Sequence, residues 1–247
     1  MGGASALLRS RRAVALAAWL AVGAAWYYTV DSIPGVSLWW EVALLAFVLM
    51  PGVFLFDWIV LPLSTARGLL PLAGGLALLA ILADIGSLDV LANAAKLAAV
   101  TFFAFWFLTL FEDLILLVLV ALIVPFVDAY SVFRGPTGNI VEHHSSLFDN
   151  LSIYFALPHE ANDPRLGIPD LLFFALFLAA AKRFGLRPGM TWLVMVAALG
   201  ATIAIDVWAD VPGLPALPAL SVGFLLPNAD RIWAQLRRRD GRAVPPA

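Results

Sequence analysis

Apolar residues in this chain come in long unbroken blocks, and the polar residues gather in short clusters between them. The blocks lie near 13–30, 40–63, 68–85, 92–111, 113–133, 167–185, 190–209 and 214–228. Each approaches the roughly 20 mostly apolar residues that a membrane-spanning helix requires. In lipid, backbone groups must be satisfied within a helix or a closed barrel, and the blocks lack the alternation of barrel strands. The predicted fold is therefore all-α, a polytopic transmembrane helical bundle of about eight spans. The polar stretch 134–165 is its one long connection. Phe111-Glu112-Asp113 must turn the fourth span into the fifth without a Gly or Pro to break the helix.

Composition sharpens this picture. The 247 residues are 62% hydrophobic and 13% charged, against about 25% charged in an ordinary soluble domain, which leaves no room for a soluble domain beside the bundle. The absence of Cys excludes disulfides, thiolate nucleophiles and iron–sulfur ligation. The formal net charge is −2 and basic residues sit at helix ends, so no nucleic acid partner is expected.

Those basic residues encode topology instead. Arg9, Arg11 and Arg12, Arg67, Lys182, Arg183 and Arg187, and Arg231, Arg237, Arg238, Arg239 and Arg242 all fall on one side if the N-terminus is cytoplasmic. The opposite loops carry Asp31, Glu41, Asp84, Asp89 and Asp210, with Lys96 and Arg165 as basic exceptions. Both termini are expected in the cytoplasm, in an integral multi-pass protein of a prokaryotic cytoplasmic membrane. The first block also has the Arg-rich start and small residues of a cleaved signal peptide. Its end at Trp26-Tyr27-Tyr28 reads instead as an interfacial anchor. No internal repeat is visible, so the inverted-repeat signature of many transporters is missing. The Arg-rich, Pro-ended tail from Gln235 to Ala247 is expected to lie disordered on the cytoplasmic face, drawn to anionic lipid.

Candidate chemistry sits in three motifs: Phe126-Val127-Asp128-Ala129, Gly167-Ile168-Pro169-Asp170 and Pro215-Ala216-Leu217-Pro218. A charge inside a membrane is expensive, about 2.5–3.5 kcal/mol on insertion scales, so an intramembrane acid is a functional hypothesis by default. Asp128 falls about five residues from the end of its predicted helix, roughly 8 Å below the boundary. Asp170 falls about three residues into the next, oppositely directed span. The two carboxylates are thus expected at similar depth near one membrane face, where the Pro215–Pro218 segment also begins. Two carboxylates sharing a site cannot both ionise cheaply. One then serves as general base on water, and the other, protonated, polarises a scissile carbonyl. Which residue takes which role is open, because the pair titrates as a unit. Pro215 and Pro218 bracket backbone that cannot complete a helical ladder, which suits a substrate-facing element; taken alone, they also read as a proline-marked helix start.

Other polar residues carry less. Asp57 lies inside the second span without a partner motif and reads as bundle polarity or a proton site. Glu142, His143 and His144 lack zinc-type spacing, and no metal is expected there. Asp149, Asp163 and Asp206 fall in loops or near helix ends, where a charge is cheap. Asn150 to Leu157 reads as an interfacial segment over the site.

In order, spacing and helix context, the three motifs resemble those of the presenilin and signal peptide peptidase family. The resemblance covers roughly residues 113 to 228; the earlier spans match only in being hydrophobic. It divides the single membrane domain into N-terminal helices (1–112), presenilin-like catalytic helices (113–230) and a basic tail (231–247). It implies an intramembrane-cleaving aspartyl protease with Asp128 and Asp170 as the catalytic pair, and with Gly167, Pro169, Pro215, Ala216, Leu217 and Pro218 positioning substrate. The implied substrates are transmembrane proteins or signal peptides within the bilayer, with no cofactor. The chain departs from the family pattern at Val127, where Tyr is usual, at Pro169, where the second Gly of Gly-x-Gly-Asp stands, and in having eight spans rather than nine. Losing the first of nine would leave both termini inside, closer to the signal peptide peptidases. Two rival readings stay open: a catalytically silent relative that binds transmembrane helices, and a small proton-coupled transporter with Asp57, Asp128 and Asp170 as a relay.

Overall fold

A computed structural model of the chain describes residues 2–134, 152–158, 164–209 and 214–240. The polar stretch holding Glu142, His143, His144, Asp149 and Asn150, together with Asp163 and Asp210, lies outside the described residues, so the expectations there are not addressed by it.

The apolar blocks become helices. They are α1 (Gly2–Thr29), α2 (Leu38–Thr65), α3 (Leu69–Ile85), α4 (Asp89–Phe107) and α5 (Leu114–Arg134), then α6 (Ile168–Arg183), α7 (Pro188–Ala209), α8 (Leu217–Leu225) and α9 (Ala229–Asp240). Among the described residues, five of these segments are long and apolar enough to cross a membrane: Ser10–Ser32, Leu38–Thr65, Asp89–Leu110, Leu114–Val132 and Pro188–Ala209. The chain is thus a helical membrane protein by length and composition. Its outer surface agrees, with Phe47, Ile85, Phe126 and Trp208 among the large exposed apolar side chains.

The three other apolar helices are shorter. α3 has 17 residues, α6 has 16 and α8 has 9. α6 is short because it is central: Phe174 through Ala181 are all fully buried. Phe54 of α2 stacks on Phe174 at 3.7 Å, and Phe224 of α8 stacks on Phe177 at 4.8 Å. A helix surrounded by protein gains its burial from neighbours, so the full lipid-spanning length is not needed for stability.

Local chemistry sets the breaks. Within α2, residues Leu45–Leu49 form a π-turn. Pro51 follows at once; it has no N–H, and its ring would crowd the carbonyl of Phe47 in a regular helix, which the wider turn relieves. The α6–α7 turn uses Gly185 at φ 65°, with the Leu186 amide donating to the Ala181 carbonyl at 2.8 Å, a left-handed helix stop that glycine makes cheap. At Phe111-Glu112-Asp113, a 3₁₀ turn over Leu108–Leu110 tightens the end of α4, and Phe111 is extended at φ −95°, ψ 105°. Arg183 of α6 donates at 2.6 Å to the Leu108 carbonyl, which also accepts from the Phe111 amide at 3.1 Å.

Two features differ from expectation: a short strand pair in the otherwise all-α fold, and helix where the start of the tail was expected to be disordered. Ser152–Tyr154 (β1) pairs antiparallel with Arg165–Gly167 (β2), in the register Ser152 to Gly167 and Tyr154 to Arg165. The segment expected to be interfacial thus contributes a strand, and β2 runs directly into α6. The tail is also helical as far as Asp240. α9 docks because Ile232 is buried and Arg231 donates to the carbonyls of Gly185 and Leu186 at 2.9 and 2.8 Å.

Candidate functional site

α5, α6 and α8 pack against one another, and each carries one of the three motifs. Asp128 stands six residues before the end of α5, just beyond Pro125, the proline inside that helix. Pro125 lacks the N–H that would bond the Ala121 carbonyl, so the turn leading to Asp128 is short of one helical bond.

α8 begins at Leu217, and Pro218 occupies its first turn. The first amides of a helix have no partner within it. Here the Leu217 amide donates to Oδ2 of Asp128 at 3.0 Å. Pro218 brings no amide to the same turn, which concentrates the available donor on the carboxylate. The positive end of the α8 dipole also faces this acid. Pro215 and Ala216 are half-buried just ahead of the helix.

Asp170 is the third residue of α6, with Gly167 as the N-cap. Its carboxylate turns back onto the backbone of Gly167 and stands close enough to Asp128 for the two charges to interact. A Cβ on Gly167 would lie 3.3 Å from Oδ2 of Asp170 and 3.4 Å from Cδ of Pro169. A side chain there would press on the Asp170 carboxylate and the Pro169 ring, which would have to give by a few tenths of an ångström, while the φ of −66° is itself ordinary. Pro169 fits the first helical turn, where its missing N–H costs nothing, and its ring is exposed. Both aspartates are half-buried.

Residues from all three motifs therefore meet at one end of the bundle: a carboxylate on each of two helices, and a proline-flanked amide on the third. Such a grouping brings two acids near one another with helix-start backbone beside them.

Asp57 stands apart. It is 0% exposed, and its Oδ1 accepts a 2.6 Å hydrogen bond from the Thr101 hydroxyl of α4, while Oδ2 has no partner among the described residues. Asp206 differs from its expected cheap setting near a helix end. It is half-buried, its Oδ1 is buried without a partner among the described residues, and it faces the backbone of Leu214. Ser221, one turn after Leu217 on α8, is 2% exposed and its hydroxyl is likewise unpartnered. The spacing of Leu217 and Ser221 was the available signal for the latter, since residues four apart share a helix face. Among the described residues, no group of three or more His, Asp or Glu side chains could hold a metal ion.

The expected inner basic residues cap helices. Lys182 donates to the Leu61 carbonyl at 2.9 Å and approaches the Ser64 hydroxyl at 3.4 Å. Lys96, a basic exception to the charge pattern, pairs with Asp84 at 3.7 Å.

Comparison with protein-family models, with curated proteins and with solved structures finds no match to this chain.

Proposed function

We propose that this chain is an intramembrane aspartyl protease of the presenilin and signal peptide peptidase type. It would hydrolyse peptide bonds in the membrane-spanning segments of other proteins, with Asp128 and Asp170 as the water-activating pair. The observation that carries this reading is the meeting of Asp128 with the Leu217 amide beside Asp170, across three helices distant in sequence. Eight spans with both termini cytoplasmic belong to the same proposal; the buried α6 and the shorter α3 and α8 then complete the count.

In this mechanism one aspartate removes a proton from the attacking water while the other, protonated, donates a hydrogen bond to the scissile carbonyl oxygen. The oxygen of water bonds to the carbonyl carbon, the carbon–nitrogen bond breaks, and the leaving amine takes a proton from the acid. Gly167 leaves room beside Asp170, and Pro215 and Ala216 offer backbone to an unwound substrate. A substrate helix must unwind first, because its amides are otherwise bonded internally. No metal or organic cofactor enters these steps.

Pro169 supports a second reading, a non-cleaving relative that holds transmembrane helices, because its ring stands exposed where a glycine would admit substrate backbone.

The test is cleavage of fluorogenic transmembrane peptides by purified protein in detergent, beside Asp128→Ala and Asp170→Ala. Cleavage in the unchanged protein and in neither variant is expected. Cleavage that survives both substitutions overturns the dyad, and silence in the unchanged protein relieved by Pro169→Gly selects the second reading.

A further inference from the structure

We propose that the chain carries a binding site for one zwitterionic phospholipid with an amine head group, between α1 and a wall made by α2, α4 and β1. The proposal is independent of any proteolytic activity.

α1 leans on the bundle through two tryptophans. Trp19 donates to the Gly52 carbonyl at 2.6 Å, and Trp26 donates to the Ala156 carbonyl at 2.9 Å. Beside these contacts lies an apolar cleft of about 640 Å³, within the roughly 300–1,000 Å³ typical of small-molecule sites. Its wall includes Ala94 of α4 and Phe155 just after β1. Gly23 and Gly52 both line it, and a Cβ on either would meet nothing within 4 Å. Among the described residues, no side chain fills this part of the cleft.

The cleft does not run the full thickness of a membrane. Its α1 lining extends from Ala15 to Tyr27, about 18 Å at 1.5 Å per residue, close to half of the roughly 30 Å hydrocarbon core. A transmembrane helix of a partner would need the whole thickness, whereas an acyl chain needs one leaflet.

At its end the cleft opens into a polar chamber of about 500 Å³ that shares Tyr27, Tyr154 and Ala156 with it. Asp31, Asp89 and Arg165 line this chamber. The ring of Tyr27 lies 5.3 Å from that of Tyr28 and 6.1 Å from that of Tyr154, and the Tyr27 hydroxyl donates to Asp89 at 2.9 Å. Among the described residues, two carboxylates stand against one guanidinium, an acidic excess beside one cation. A head group with an ammonium and a phosphate matches both signs: the ammonium meets the carboxylates and the tyrosine faces, and the phosphate meets Arg165. An anionic head without an amine would add to the existing negative charge. The sequence of apolar cleft, aromatic boundary and zwitterionic chamber is therefore that of a phospholipid lying along α1.

Native mass spectrometry of the full chain in detergent, titrated with phosphatidylethanolamine or phosphatidylglycerol, tests this directly. One phosphatidylethanolamine is expected to be retained, about tenfold more tightly than phosphatidylglycerol. The double variant Asp31→Asn with Asp89→Asn leaves the cleft untouched and should erase that preference. Gly52→Leu and Ala94→Leu fill the cleft and should release both lipids. Equal retention of the two lipids, unchanged in the head-group double variant, would mean ordinary boundary lipid and would overturn the proposal. So would retention in both cleft-filling variants.

Discussion

The Leu217 amide and the Asp128 carboxylate are bonded at 3.0 Å across 89 positions of sequence. One contact thereby joins the start of α8 to the end of α5. It gives an otherwise partnerless helix amide an acceptor and fixes one carboxylate oxygen in space, so stability and chemistry share it.

Asp128→Ala and Asp128→Asn should separate those two uses. Alanine leaves the amide without an acceptor, and an unsatisfied buried polar group costs about 1–3 kcal/mol. Asparagine keeps an acceptor oxygen. The thermal midpoint in detergent should fall for alanine and stay near that of the unchanged protein for asparagine, whereas peptide cleavage should vanish in both.

Asp57 provides the complementary case. Thr101→Val removes the hydroxyl that satisfies Oδ1 of Asp57, in a fully buried setting, and should destabilise the protein by about 1–3 kcal/mol. Asp57→Asn should fold and should cleave transmembrane peptides at the rate of the unchanged protein. A loss of cleavage in that variant, with the fold intact by circular dichroism, would bring Asp57 into the mechanism and favour the relay reading.

Gly223→Ala should be among the most damaging small substitutions. The added carbon would lie 2.6–2.8 Å from the side chain and backbone of Met195, so α7 and α8 would have to separate. Overpacking of this kind costs about 1–3 kcal/mol and occasionally more. Gly200→Ala, 3.1 Å from the Ala46 Cβ, should cost less. Thermal denaturation of the two variants side by side gives the ranking.

The junction of α8 and α9 should respond to acid. Arg187 donates two hydrogen bonds to Asp230, at 2.6 and 2.7 Å, and these hold the Asp230 carboxyl below its ordinary range. A depressed carboxylate stabilises the fold above its unfolded value of about 3.9, and that contribution disappears as pH falls through the lower folded value. The difference in midpoint between the unchanged protein and Asp230→Asn should hold steady from about pH 5 to 8 and close below about pH 4.

Much of this architecture was legible in the sequence because lipid-compatible helices announce themselves as apolar blocks. Helices occur at every expected block, and residues of the three motifs meet. Among the described residues, five segments meet the length of a crossing helix, and for α6 the shortfall has a reason that block length does not reveal. α6 is enclosed by protein on all sides, and enclosure depends on partners far away in sequence. The β1–β2 pair was hidden because three-residue strands carry too little alternation to register. Asp206 was discounted as a helix-end charge, since its partner, the backbone of Leu214, lies beyond the end of α7. Pro51 was visible, but the π-turn it accompanies was not, because a proline near a span centre can equally kink the helix.

Gly167 is at once the last residue of β2 and the cap of α6, which makes the small hairpin an angular index for the helix that follows. Successive helix positions are turned by about 100°, so a one-residue slip in the pairing of Ser152 with Gly167 would swing Asp170 more than a quarter turn from Asp128. The phase of the central helix is thereby tied to strand register as well as to the packing of its buried face.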